Sequence, residues 1–205
     1  MMKGTVNGIL AGILIAIGGS VYLACDNRYV GAVLFSVALL CICYKGYGLF
    51  TGKVGFLSEQ HDKSAWTVTL TALLGNAIAT SLLGWAVRYA LPQLGETAKV
   101  ICDAKLTQLW PQTAIRGVFC GILMYLAVSI FRDHKTTAAI FFCVPVFILS
   151  GFEHSIADVF YFGASGIVSW QAFGFVWCVI LSNAVGGMLL PLLTKLTKEK
   201  TADGT

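Results

Sequence analysis

Charged residues are scarce in this chain. Of its 205 residues, 14 are Lys or Arg and 10 are Asp or Glu, so that 12% of the sequence is charged whereas 57% is hydrophobic. A water-soluble protein of this length carries about 25% charged residues to cover its surface. The shortage argues against a soluble enzyme, a nucleic-acid-binding protein and a disordered module. Together with a mean hydropathy of +0.79, it predicts an all-α polytopic membrane protein.

The sequence also lacks the cysteine patterns of a metal or redox centre. Its seven cysteines are an odd number, and they include no Cys-x-x-Cys pair and no histidines at ligand spacing. We interpret them as small hydrophobic residues and expect neither a metal nor a cofactor. The net charge of +4 comes from loop lysines rather than from one basic face, so we expect no nucleic-acid partner.

The uncharged runs are long enough to cross a lipid bilayer. They occupy residues 6–24, 29–44, 66–87, 117–131, 136–152 and 159–194. A hydrocarbon core of about 30 Å requires about 20 apolar helical residues. Two of the runs reach this length only if flanking basic side chains extend to the interface, and the last run holds a partial helix before a complete one. We therefore predict six transmembrane helices in a single membrane domain, residues 1–205.

Basic residues near the ends of the spans predict the orientation. Cytoplasmic loops carry an excess of Lys and Arg. With the N terminus inside, the cytoplasmic side receives Lys3, Lys53, Lys63, Arg132, Lys135, Lys195, Lys198 and Lys200, and the outside receives Arg28, Arg88, Lys99 and Lys105. We therefore expect both termini in the cytoplasm and the protein in the inner or plasma membrane.

Two motifs recur at nearly the same offset. GILAGILI at 8–15 resembles GVFCGILM at 117–124, and LGNA at 74–77 resembles LSNA at 181–184. The matches divide the chain into halves of three spans, which are joined by a polar connection. The halves are residues 1–91 and 106–195, and the connection is residues 92–105. Because three is odd, the second half is inverted in the membrane, an architecture typical of transporters and channels.

Each half contains a span whose composition is unsuited to a continuous helix. Residues 44–55 mix glycines and lysines with apolar residues, and residues 150–158 follow Pro145 and contain Glu, His and Asp. Irregular backbone and ionisable groups at membrane depth are tolerated where they line a cavity or pack within protein. We therefore predict that the second and fifth spans are broken and line a transport path.

The residues near the breaks also have structural interpretations. The repeated glycines are expected to allow close helix packing, and Arg116 to extend to the membrane interface. Asn76 and Asn183 either satisfy backbone groups freed by the breaks or line the path. We expect Glu153 to cap a helix at the break. We assign His154 a functional role, because a histidine at this depth is costly as a packing residue.

These residues resemble the formate/nitrite transporter family. SGFEHSIA at 150–157 is similar to the family's fifth-span signature, and LFT at 49–51 is similar to its loop in the broken second span. The motifs around Asn76 and Asn183 match as well. The resemblance implies an aquaporin-like fold and homopentamers in which each protomer holds its own pore for small monovalent anions or their acids.

The resemblance also implies roles for individual residues. His154 is similar to the central pore histidine, Thr51 to the threonine that faces it, and Lys105 to a lysine near the outer vestibule. An anion in an apolar constriction loses hydration at a cost of several kcal/mol, whereas a neutral acid loses far less. Lys105 would then gather anions, and a proton supplied through His154 or adjacent water would let the acid cross. The candidates for the apolar constrictions are Leu49, Phe50, Phe147 and Phe152.

Two positions depart from the family pattern and leave the substrate open. Many relatives carry a Cys-Asn pair where this chain has Cys120 and Gly121, and the family commonly has Asn where this chain has Asp158. Formate or nitrite is the default, with hydrosulfide, acetate or lactate as alternatives. A neutral-solute channel would need paired Asn-Pro-Ala turns, and an intramembrane enzyme would need a second reactive group near His154. We therefore predict a channel or proton-coupled transporter rather than an enzyme.

The predicted topology can be tested with reporter fusions. A fluorescent protein that folds only in the cytoplasm should be active when it is fused after Lys195, because the basic residues favour an internal tail. The same reporter inserted within residues 92–105 should be inactive there, because three spans precede that connection. A tail found outside the cell would contradict the inverted repeat.

Overall fold

The computed structural model describes residues 2–59 and 62–202, with side chains described up to residue 197. The side chains of Lys198 and Lys200, which entered the orientation prediction, lie outside this part. The helices are α1 Met2–Ala24, α2 Arg28–Lys45, α3 Phe50–Lys53, a 3₁₀ helix Val54–Ser58, α4 Lys63–Ala90, α5 Pro92–Leu106, α6 Trp110–His134, α7 Ala138–Leu149, α8 Ser155–Ser165 and α9 Trp170–Ala202.

The long apolar helices make this a multi-pass membrane protein. Within the described residues, α1, α2, α4, α6 and α9 are long and apolar enough to cross a bilayer, and α7 is apolar but has 12 residues. The predicted fifth span is therefore divided between α7 and the following α8. The all-helical membrane fold that the sequence predicts is confirmed.

Both predicted helix breaks are present. The helix α2 ends at Lys45 and is followed by Gly46, whose φ of 68° is left-handed and suits glycine, and α3 begins four residues after this glycine. The helix α7 ends at Leu149, and α8 begins at Ser155 after a second left-handed glycine, Gly151. Pro145 lies inside α7 and does not itself form the break. The chain therefore turns within the membrane at two places.

Glycines allow the long helices to pack closely, as the sequence indicated. α1 packs against α4, and α6 packs against α9. A Cβ atom at Gly8 would lie 2.8 Å from the Cα of Ala72, and one at Gly121 would lie 2.9 Å from the carbonyl carbon of Asn183. Such distances leave no room for a side chain, so these backbones touch directly.

The predicted polar connection at 92–105 forms the helix α5, Pro92–Leu106. Within α5, Leu94, Ala98 and Cys102 recur every four residues and are buried. This stripe packs α5 against α8. The low average hydropathy of the segment hid this apolar face. As a consequence, the last turn of α5 is directed towards the break between α7 and α8.

Substitution at the glycine contact should destabilise the fold. We expect Gly8→Ala to lower the free energy of unfolding by about 1–3 kcal/mol, because the new methyl group meets backbone that cannot move aside. The matched control is Val6→Ala on the outward-facing side of the same helix, where Val6 is exposed. Thermal unfolding of the detergent-solubilised protein measures both. Equal effects would show that the α1–α4 contact is not sterically closed.

Candidate functional site

A buried hydrogen bond joins the two helix breaks. Thr51 Oγ1, on α3, lies 2.8 Å from His154 Nε2 at the start of α8, and their exposed fractions are 0% and 3%. The other ring nitrogen, Nδ1, accepts a hydrogen bond from the Ala157 backbone N–H at 3.2 Å. Because Nδ1 is an acceptor, a neutral imidazole carries its hydrogen on Nε2 and donates it to Thr51. The structure thus brings together the two central residues that the sequence selected.

His154 caps α8, and Glu153 does not. The Nδ1 contact with Ala157 makes His154 the N-cap residue. The expectation that Glu153 caps a helix is wrong. Its carboxylate is instead bound by side chains from the connection between α4 and α6, Lys105 and Gln108. The reason is that the helix α5 places Lys105, and just after it Gln108, beside this carboxylate.

Asn76 and Asn183 hold the two breaks by equivalent hydrogen bonds. The Asn76 Nδ2 group donates to the carbonyl oxygens of Gly8 and Gly48, both at 2.8 Å, and its Oδ1 accepts from the Phe50 N–H at 2.9 Å. The corresponding contacts of Asn183 reach Gly117, Glu153 and Ser155 at 2.8, 2.8 and 2.9 Å.

These contacts support the structural interpretation of the asparagines. Both donor hydrogens of each amide are used, and both side chains are fully buried. Asn76 and Asn183 therefore satisfy freed backbone groups, and neither side chain lines one of the two cavities described below. The physical reason is that interrupted helices leave carbonyl and N–H groups that lipid cannot satisfy.

Two cavities approach the Thr51–His154 pair. The Lys105 cavity has a volume of about 540 Å³, and its lining includes His154 and Lys105. The Lys53 cavity has a volume of about 550 Å³, and its lining includes Lys53 and the residues Leu49 and Gly52 that flank Thr51. The two cavities share no lining residue. Thr51 itself is fully buried and lines neither cavity.

The predicted constriction residues fall into different places. Phe147 and Phe152 line the Lys105 cavity, and Leu49 lines the Lys53 cavity. The Phe147 ring stacks on the His154 imidazole with centroids 5.5 Å apart. Phe50 is buried and lines neither of these cavities.

Sequence reasoning missed two apolar residues of α2. Phe35 lines the Lys105 cavity and meets Phe147 edge to face at 6.3 Å. Leu39, one helical turn later, lines the Lys53 cavity. Their four-residue spacing in the span before the first break was the available signal. Together with Leu49 and Phe147, they form apolar surfaces next to the central pair.

The Lys105 cavity contains a buried ionic cluster. Lys105 Nζ contacts Glu153 Oε2 and lies 2.9 Å from Asp158 Oδ1, with side chains 14%, 3% and 1% exposed for Lys105, Glu153 and Asp158. Gln108 donates to Glu153 at 2.7 Å. Lys105 therefore does not stand in a solvated loop. Arg116, at the start of α6, is 43% exposed and lies 4.0 Å from Glu153.

The Lys53 cavity has a different distribution of charge. Arg132 pairs with Glu59 at 3.1 Å, whereas Lys53 and Lys135 also line the cavity. At the start of α4, Asp62 accepts hydrogen bonds from Ser64, and these hold the pKa of its carboxyl below the usual value. In the described part of the chain, no group of three or more His, Cys, Asp or Glu residues is placed to hold a metal ion.

Two interrupted helices, a buried polar pair between them and a cavity on either side define a helical membrane channel or transporter. A family model for the formate/nitrite transporter family matches residues 1–197. The chain belongs to this family, whose members are channels and transporters rather than enzymes.

Relatives and solved structures agree with this assignment. The uncharacterized transporter YwcJ of Bacillus subtilis (strain 168) is 30% identical over 186 residues, which cover 78% of this chain and 72% of YwcJ. The nitrite transporter NirC of Escherichia coli (strain K12) is 30% identical over 145 residues, 64% of this chain and about half, 54%, of NirC. Two solved structures share the fold. An FNT family ion channel has a TM-score of 0.85 and 23% identity, and the match covers 96% of this chain and 90% of that channel. A pentameric formate channel with formate bound has a TM-score of 0.78 and 24% identity, and the match covers 97% of each chain.

Removal of the Lys105 charge should destabilise the protein. We expect Lys105→Met to lower the free energy of unfolding by about 3–5 kcal/mol, because Glu153 and Asp158 would lose their shared buried countercharge. Lys99→Met is the matched control, since the Lys99–Asp103 pair is about half exposed and its attraction is weakened by solvent. Thermal unfolding in detergent would compare them, and equal shifts would contradict the buried ionic cluster.

Proposed function

We propose that this chain forms a channel or proton-linked transporter for small monovalent weak acids, with formate or nitrite as the default substrate. Hydrosulfide and bulkier monocarboxylates such as acetate or lactate are the alternatives. The observation that supports this proposal most directly is the buried Thr51–His154 hydrogen bond. It lies between two separate cavities, where two interrupted helices meet.

The apolar surfaces beside the central pair favour passage of the neutral acid. Phe35 and Phe147 approach it from the Lys105 cavity, and Leu39 and Leu49 approach it from the Lys53 cavity. These side chains offer no hydrogen bonds to replace the hydration of an anion. A protonated acid has no net charge and loses less on dehydration. The proposed path therefore transports a proton together with the anion.

Thr51 is the proposed hydrogen-bond donor to the substrate. Its oxygen accepts the His154 Nε2 hydrogen, so its own hydroxyl hydrogen is free to donate to a substrate oxygen. His154 orients this hydroxyl. Because Nδ1 is occupied by the Ala157 N–H, protonation of the ring at Nδ1 would break the cap of α8. We therefore assign the transported proton to water in the cavities, with His154 as the residue that polarises Thr51.

Assembly and orientation complete the proposal. The pentameric neighbour supports a homopentamer in which each protomer holds its own path. The equivalent contacts of Asn76 and Asn183 support two inverted halves, residues 1–91 and 106–195. The excess of basic residues supports cytoplasmic termini. In this arrangement the lipid bilayer surrounds the pentamer, and the Lys105 cavity opens to the outside.

Uptake into liposomes tests the proposed function. Purified protein should accelerate uptake of formate and nitrite above that of empty liposomes, and the rate should rise as the external pH falls, because the neutral acid becomes more abundant. Hydrosulfide, acetate and lactate in the same assay would identify the substrate class. An absence of acid-dependent uptake for all five compounds would reject the proposal.

The His154→Asn variant provides the control for the central pair. Asparagine is a good N-cap, so the variant should keep α8 and unfold at nearly the wild-type temperature. It does not reproduce the ring contact with Thr51, and loss of one hydrogen bond of about 0.5–1.5 kcal/mol should slow uptake about 2- to 13-fold. Wild-type rates in a folded variant would remove His154 from the mechanism, and lost folding would make its role structural.

A further inference from the structure

Asp158 gives Lys105 a second buried carboxylate. It lies in the first turn of α8, and its Oδ1 is 2.9 Å from Lys105 Nζ. Glu153 contacts the same ammonium group. The second oxygen, Asp158 Oδ2, is buried and has no hydrogen-bond partner within the described residues. The family commonly has Asn at this position, so this chain carries an additional carboxylate. That carboxylate contacts Lys105, the lysine that is expected to attract anions.

The buried cluster carries more negative than positive charge. One ammonium group faces two carboxylates, and Gln108 adds no charge. Two guanidinium groups also line the cavity: Arg28 is exposed, and Arg116, whose side chain is 43% exposed, lies 4.0 Å from Glu153 and offsets part of that carboxylate's charge.

The other ionisable groups around the cluster supply no positive charge. They are Cys102 on α5, Cys120 on α6, Tyr161 on α8 and His154 at the break. The thiols and the phenol are neutral or negative in any protonation state. The imidazole is held in its neutral form by the Ala157 contact. Lys105 is therefore the only cation within the buried part of this cavity among the residues described.

We propose that Asp158 cancels the attraction of Lys105 for anions and so determines that substrate is accepted from the Lys105 cavity as the neutral acid. This inference rests on the proposed weak-acid transport. An anion that reaches the end of the cavity meets two buried carboxylates, and Asp158 takes up the ammonium group of Lys105 that would otherwise attract the anion, at low dielectric where like charges repel strongly. A neutral acid meets no such penalty. Asp158 is a specificity-determining residue for the protonation state of the substrate.

The test compares the pH dependence of uptake in Asp158→Asn and wild-type liposomes. Above the pKa of formic acid, the neutral fraction falls about tenfold per pH unit, and wild-type uptake at fixed total formate should fall nearly as steeply. Asparagine keeps the shape and the Oδ1 contact with Lys105 but removes one negative charge. The variant should admit the anion, so its uptake near pH 7 should exceed that of wild type by about 3- to 30-fold.

Three further variants make the outcome specific. Asp103→Asn removes the same charge from an exposed ion pair on α5 outside the cavity lining and should leave the pH profile unchanged. Asp158→Glu keeps the charge and should keep the steep profile. Asp158→Ser is a second neutral variant, which should behave as Asp158→Asn does and guards against a folding defect of one substitution.

The outcomes separate this inference from the proposed function. Steep profiles in both folded neutral variants, with wild-type rates near pH 7, would overturn the role of Asp158 while leaving weak-acid transport in place. An equal change in Asp103→Asn would overturn it as well, because the effect would then be one of overall charge. Wild-type liposomes that take up no weak acid would instead overturn the proposed function itself.

Discussion

The constraint on which the structure depends is that backbone groups at membrane depth have to be hydrogen-bonded within the protein. Interrupting α2 and α7 frees carbonyl and N–H groups that lipid cannot satisfy. One buried amide serves each interruption. The side chain of Asn183 binds the carbonyl of Glu153 and the N–H of Ser155, which flank His154. The side chain of Asn76 binds the carbonyl of Gly48 and the N–H of Phe50 in the same way.

The geometry of the site follows from the hydrogen bonds of these two asparagines. Because the residues on either side of His154 are fixed, its ring can accept the Ala157 N–H and still meet Thr51 from the opposite break. These hydrogen bonds in turn require closely packed helices, because the same amides donate to the carbonyl oxygens of Gly8 and Gly117 on neighbouring spans. The close helix packing that the small residues allow is therefore needed to place the polar residues at the centre.

Local features of the sequence predicted much of this arrangement. The glycines and the ionisable residues within apolar runs predicted the breaks, and the family resemblance selected Thr51 and His154, which the structure joins. The contacts of Glu153 could not be predicted, because its partner Lys105 is 48 residues away and reaches it only when 92–105 forms a helix. The hydropathy of that segment gives no sign of its buried face. The place of Phe50 could not be predicted from the sequence either, because Leu49 lines the Lys53 cavity whereas the adjacent Phe50 is buried outside it.

The polar groups around the path are engaged with the protein before any substrate arrives. The two asparagine amides bind backbone, the imidazole binds the end of α8 and Thr51, and the ammonium group of Lys105 binds two carboxylates. The Thr51 hydroxyl hydrogen is left as a donor that these contacts do not use. A single neutral donor beside apolar side chains can orient a small acid, but it cannot replace the hydration shell of an anion. In the proposed transport of weak acids, this centre would therefore select for charge state and size rather than for one particular acid.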